Sequence, residues 1–148
     1  MTATDRYLKD ICELYIDSKL GYRDTAKRAD DPRLQDVLAD IGESRAGTIA
    51  LLSATLEDSG VAPPRSGTFK GTMHRLWIAS RDILSNTDDV NMVSECLRGE
   101  SFLIGRVDEA LKDAAVQADL KSMLTRERAK LMDNVDRIRS VDLAISDA

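Results

Sequence analysis

The sequence predicts an all-α protein: four long helices and one shorter one around a shared core. Three observations point there. Apolar residues recur every three or four positions over four long stretches, the period of an amphipathic helix. Only 4% of the residues are aromatic and only three are proline, a balance that suits helices. Strong breakers cluster at two places, Asp30-Asp31-Pro32 and the run from Gly60 to Gly71. At 148 residues, with 43% hydrophobic and 32% charged, the chain is expected to form one globular domain, 1–148.

The first helix is expected over 5–29. Leu8, Ile11, Cys12, Tyr15, Lys19 and Tyr22 share one face, and Ser18 lies on the inner side near mid-helix. Asp10, Glu13, Asp17 and Asp24 fall opposite and read as a solvated surface rather than a cation site. Lys27 and Arg28 close the helix, where positive charge suits its dipole. Asp31 then caps, and Pro32 opens, a second helix over 32–59. Its stripe is Leu34, Val37, Leu38, Ile41, Thr48, Leu52, Thr55 and Leu56, with Arg45 in the middle. So short a break makes the two an antiparallel hairpin.

Residues 60–87 differ in character. Pro63, Pro64, Gly67 and Gly71 mark a loop, and a short helix over 72–85 follows, with Met73, Leu76, Trp77, Ile83 and Leu84 on one side. A helix of about 28 residues spans ~42 Å, and a loop carrying one short helix is long enough to travel back along it. The next long helix is expected over 88–115, with Asn86 or Thr87 as cap and Val93, Leu97, Ile104, Val107 and Leu111 as its stripe. The last is expected over 117–145, with Leu120, Met123, Leu124, Leu131, Val135, Ile138, Val141 and Ile145 inward. Two hairpins joined by one long crossover form the topology of a ferritin-like four-helix bundle.

Four polar residues fall on the inward faces near mid-helix: Ser18, Arg45, Glu100 and Glu127. Helices of similar length bring such positions to comparable heights, so a buried polar layer is expected. Burying a carboxylate costs several kcal/mol, roughly 2–7, unless it is paired or protonated. One reading is an ion pair, Arg45 with Glu100, Glu127 or both, with Ser18 or Tyr22 completing the hydrogen bonds. The other is a carboxylate metal site for iron or another divalent metal, with Glu100 and Glu127 as ligands. Bundles of that kind use Glu-x-x-His on two helices. No such motif occurs here, and the single histidine, His74, lies in the crossover. Arg45 would also place positive charge where a cation must sit. The ion pair is therefore the expected arrangement, with no metal, cofactor or catalytic residue.

Other chemistry is sparse. His74 has no nucleophile and orienting acid in a recognisable pattern, so catalysis is not expected. Lys70 and Arg75, flanking the opening of the short helix, form a candidate anion site, although no phosphate-loop spacing is present. A net charge of −5 without a basic run argues against nucleic acid. No apolar run reaches the ~18 residues of a membrane helix, and the N-terminus has no signal pattern, so a cytoplasmic protein is expected. Cys12 and Cys96 match no metal or redox spacing. Ile16, Leu20, Ile78, Phe102 and Leu103 lie off the main stripes and are expected to form a second apolar surface, hence a homodimer or an unknown protein partner.

The stretch Asp17 to Tyr22, then His74-Arg75-x-Trp77, then Cys96-x-x-Gly99-Glu100 resembles a bacterial family of small ferritin-like four-helix-bundle proteins of unknown function. The resemblance covers most of the chain. It implies a ferritin-like bundle and supplies no activity. The sequence departs from that pattern at Ser18, Ser101 and Val107, where the resemblance implies Gly, Asp and Tyr.

Overall fold

In a computed structural model of the chain, residues 1–66 and 88–147 are described. They form four α-helices and no strand: α1 Ala3–Arg28, α2 Pro32–Asp58, α3 Asp89–Lys112 and α4 Ala118–Ser146. The short helix expected over 72–85, and with it Asn86 and Thr87, lies outside the described residues. No helix among the described residues is long and apolar enough to cross a membrane.

Local chemistry sets the helix ends. Thr2 and Asp5 form a capping box: the Thr2 hydroxyl accepts from the Asp5 amide at 3.1 Å, and the Thr2 amide donates to Asp5 at 3.2 Å. That is why α1 starts earlier than its apolar stripe suggests. Asp31 caps α2 by accepting from the Arg33 amide at 2.8 Å, with Pro32 in the first turn. Asp88, expected inside α3, is instead its cap and accepts from the Asn91 amide at 3.2 Å. At the far end α3 stops at Lys112 rather than near 115. The Asp113 carboxylate accepts from the Ala115 amide at 2.9 Å, an Asx-type turn that competes with the helix.

Each helix packs against two neighbours: α1 against α2 and α3, and α4 against α3 and α2. The contacts also give directions. Asp89, at the start of α3, accepts from the amides of Asp30 and Asp31 at 2.9 and 2.8 Å, so the corner after α1 meets the beginning of α3. At the other end Tyr7 donates to Asp113 at 3.2 Å. Thus α1 and α3 are antiparallel. So are α2 and α4, joined by Thr48 to Glu127 at 3.0 Å and Arg137 to Asp40 at 2.8 Å. It follows that α2 and α3 run in the same direction.

The core is aliphatic, with Leu8, Ile11, Leu34, Leu38, Leu52, Leu103, Leu124 and Ile138 fully enclosed. Gly42 lets α1 and α2 approach closely, since a Cβ there would lie 3.1 Å from Tyr22 Cβ. Two expectations change. The inner line of α3 is Val93, Cys96, Glu100, Leu103 and Val107, while Leu97, Ile104 and Leu111 sit half-buried on its flanks. Leu103 is therefore core, not part of a second apolar surface. Leu20 is exposed, Ile16 and Phe102 are half-buried, and Ile78 lies outside the described residues. The acids of α1 are not uniformly solvated either. Asp10 pairs with Arg106 of α3, and Asp17 is buried. Neighbours on both flanks cover more of α1 than a single stripe suggests.

Candidate functional site

The residue types in the middle of the helices give the core a strongly polar layer. Ser18, Arg45, Glu100 and Glu127 are each at most 3% exposed. Helix α2 carries Arg45 inward between Ile41 and Thr48, and α3 carries Glu100 inward one turn after Cys96. Cys96 and Gly99, beside Glu100 on the same helix, are buried as well.

Arg45 Nη2 is bonded to Glu100 Oε1, and Tyr22 donates to the same oxygen at 2.6 Å. The guanidinium also lies against two rings of α1, 5.3 Å from the centre of Tyr15 and 5.4 Å from that of Tyr22. The cation is thus held by one carboxylate and two aromatic faces. Glu127 belongs to a separate arrangement. It accepts from Thr48 at 3.0 Å and from Lys130, on its own helix, at 3.3 Å. Arg45 does not bridge the two glutamates. Ser18 is enclosed at the level of the tyrosines, one turn from each.

Electrostatics follow from the enclosure. Burial works against the charge of Arg45, but Glu100 and the two tyrosines outweigh it and hold its pKa above the ordinary value. Burial, and then the Glu100 carboxylate, push the Tyr22 hydroxyl well above its usual range. Burial raises Tyr15 against the opposing influence of Arg45. Burial and Glu100 do the same to the Cys96 thiol, and burial raises Cys12. Both thiols and both hydroxyls therefore stay protonated at neutral pH, which removes them as nucleophiles.

Both inward glutamates already have partners. Glu100 is engaged by Arg45 and Tyr22, and Glu127 by Thr48 and Lys130. Among the described residues no group of three or more His, Cys, Asp and Glu side chains could hold a metal ion. Within this layer, among the described residues, Tyr15 OH, Arg45 Nε and Glu100 Oε2 are enclosed without a hydrogen-bond partner. Of these, Arg45 Nε is a donor only, which a cation cannot satisfy.

Tyr15 and Thr48 join the layer although sequence reading marked them only as members of an apolar stripe. Their signal is positional: Tyr15 and Tyr22 flank Ser18 by one turn each, and Thr48 follows Arg45 by one turn. Lys130 was missed because it lies on the polar side of α4 and reaches back by one turn. Lys70, His74 and Arg75 lie outside the described residues.

No curated protein matches the chain. A family does. Its matched region ends at the turn after α3, so Ser18, Arg45 and Glu100 lie inside it and Glu127 outside. Residues 3–113 match the family described as Domain of unknown function (DUF2383), and the chain belongs to that family.

Proposed function

We propose that this chain is a non-catalytic, cytoplasmic helical bundle of a single domain, 1–148, ferritin-like in topology. It acts as a structural or protein-interaction module around a buried Arg/Glu ionic layer. The observation that carries this reading is the position of Arg45. Its guanidinium, 3% exposed, sits among the helices on Glu100, where a metal-loaded bundle would hold its cation. Positive charge built into that position opposes metal binding, and the engaged carboxylates leave little to coordinate with. The ferritin-like topology draws support from the parallel run of α2 and α3. With α2 and α3 parallel, the end of α2 and the beginning of α3 lie at opposite ends of the bundle, the relation that a long crossover joins in a ferritin-like topology. The ionic layer would fix the register of the helices rather than add net stability. A second copy of the chain is the simplest protein partner.

Metal content of the purified protein by mass spectrometry, before and after anaerobic Fe(II) addition, tests this reading. The expected result is no stoichiometric metal under either condition. Stoichiometric metal that disappears in Glu100→Ala and Glu127→Ala would overturn it in favour of a metal-binding oxidoreductase or storage protein.

A further inference from the structure

The groove between α1 and α2 carries charge of opposite sign on its two walls. Lys19, Arg23 and Lys27 stand one turn apart along α1, and Asp36 and Glu43 stand on α2. Among the described residues none of these five side chains forms an ion pair within the chain. The groove encloses about 330 Å³ over a low floor of Ala26, Ala39 and Gly42. Gly42 fixes the relative height of the walls. Its Cβ position lies 3.6 Å from both the Lys19 carbonyl oxygen and the Arg23 nitrogen. Because the helices are antiparallel, Glu43 comes level with the stretch between Lys19 and Arg23. Asp36, about two turns nearer the corner, comes level with Lys27.

We propose that this face is the interface of a homodimer whose two-fold axis lies in the interface plane, parallel to the helices. That axis keeps every residue at its own height and lays α1 of one copy antiparallel on α2 of the other. Lys27 then meets the partner's Asp36, while Lys19 and Arg23 meet the partner's Glu43, and symmetry repeats both sets. The other in-plane axis, perpendicular to the helices, stacks α1 on α1 and places like charges together, which disfavours it. Exposed ion pairs add little affinity, so the charges select the axis and buried apolar area holds the pair. Leu20, 52% exposed, stands beside the basic row and adds apolar area to this face.

This deepens the interaction-module reading and leaves the metal test untouched, so each fails separately. Light scattering should find the wild-type chain dimeric. Two variants are then made, Lys19→Glu with Lys27→Glu, and Asp36→Lys with Glu43→Lys. Each alone puts like charge on like charge twice and should dissociate, with at least a tenfold weaker Kd. Mixed in equal amounts they should form a heterodimer, because reversed α1 meets reversed α2 on one side and unaltered α1 meets unaltered α2 on the other. Circular dichroism controls for folding, since the substitutions lie at the rim of the groove. A wild-type chain that stays monomeric overturns the proposal. So do variants that dimerise unchanged, or folded variants whose mixture stays monomeric.

Discussion

Glu100 and Glu127 are the same residue type, near the middle of adjacent helices, and are 1% and 3% exposed. Their partners separate them. Glu100 is bonded to a cation buried as deeply as itself and to a buried tyrosine. Glu127 shares a bond with Thr48 and draws its cation from Lys130, whose side chain is 67% exposed. A carboxylate whose counter-charge is enclosed with it depends on the whole core staying assembled. One whose counter-charge reaches in from solvent can exchange that cation for water. Equal burial therefore does not mean equal consequence.

The largest effect should come from removing the enclosed cation. Arg45→Ala leaves Glu100 buried with only Tyr22, and urea denaturation should show a loss of ~3–5 kcal/mol. Replacing both partners, Arg45→Met with Glu100→Leu, should recover most of that loss, because no lone charge remains. An unchanged urea midpoint for Arg45→Ala would erase the contrast between the two glutamates.

Tyr22→Phe comes next, at ~1.5–3 kcal/mol, because it removes a hydrogen bond to a charged acceptor. It also tests the alkaline limit. Burial and Glu100 raise the Tyr22 pKa in the folded state, so the folded chain holds that proton more tightly than the unfolded chain. The resulting stability is complete below the ordinary tyrosine value of about 10 and is lost as pH rises above it. The raised thiol of Cys96 begins to act somewhat lower, above its ordinary value of about 8.5–9. Urea midpoints should be insensitive to these groups near neutral pH and fall in alkali, less steeply in Tyr22→Phe than in the wild type. Equal slopes would mean that Tyr22 is not the group being titrated.

Effects at Glu127 should be smaller. Glu127→Gln keeps an acceptor for Thr48 and should cost about 0.5–1.5 kcal/mol by the same measurement. Smallest of all, Lys130→Ala should change stability by no more than about 0.5 kcal/mol, since its ammonium is mostly solvated. A loss at Lys130 as large as that at Arg45 would show that exposure of the counter-charge does not matter here.

Much of this contrast was legible before any coordinates. Periodicity placed Arg45 and Glu100 on inward faces, and the lack of Glu-x-x-His argued against a metal. What periodicity could not decide was pairing. Arg45 on α2 has two inward glutamates within reach of expectation, and in the fold it extends across the core to Glu100 on α3 rather than to Glu127 on the neighbouring α4. The same limit explains Leu103. It was placed on a surface because the stripe of α3 was drawn through Leu97 and Ile104. The helix is rotated so that Cys96 and Glu100 face inward, and Leu103 follows them.

The sequence by itself determined the helical class, the tight corner at Asp30-Asp31-Pro32, and the inward polar positions. Those depend on local propensity, capping and a 3.6-residue period, all properties of single segments. Tertiary structure alone decided which charges meet and how far α3 is rotated. Those outcomes depend on several helices competing for the same space and the same hydrogen bonds, and no single segment contains that competition.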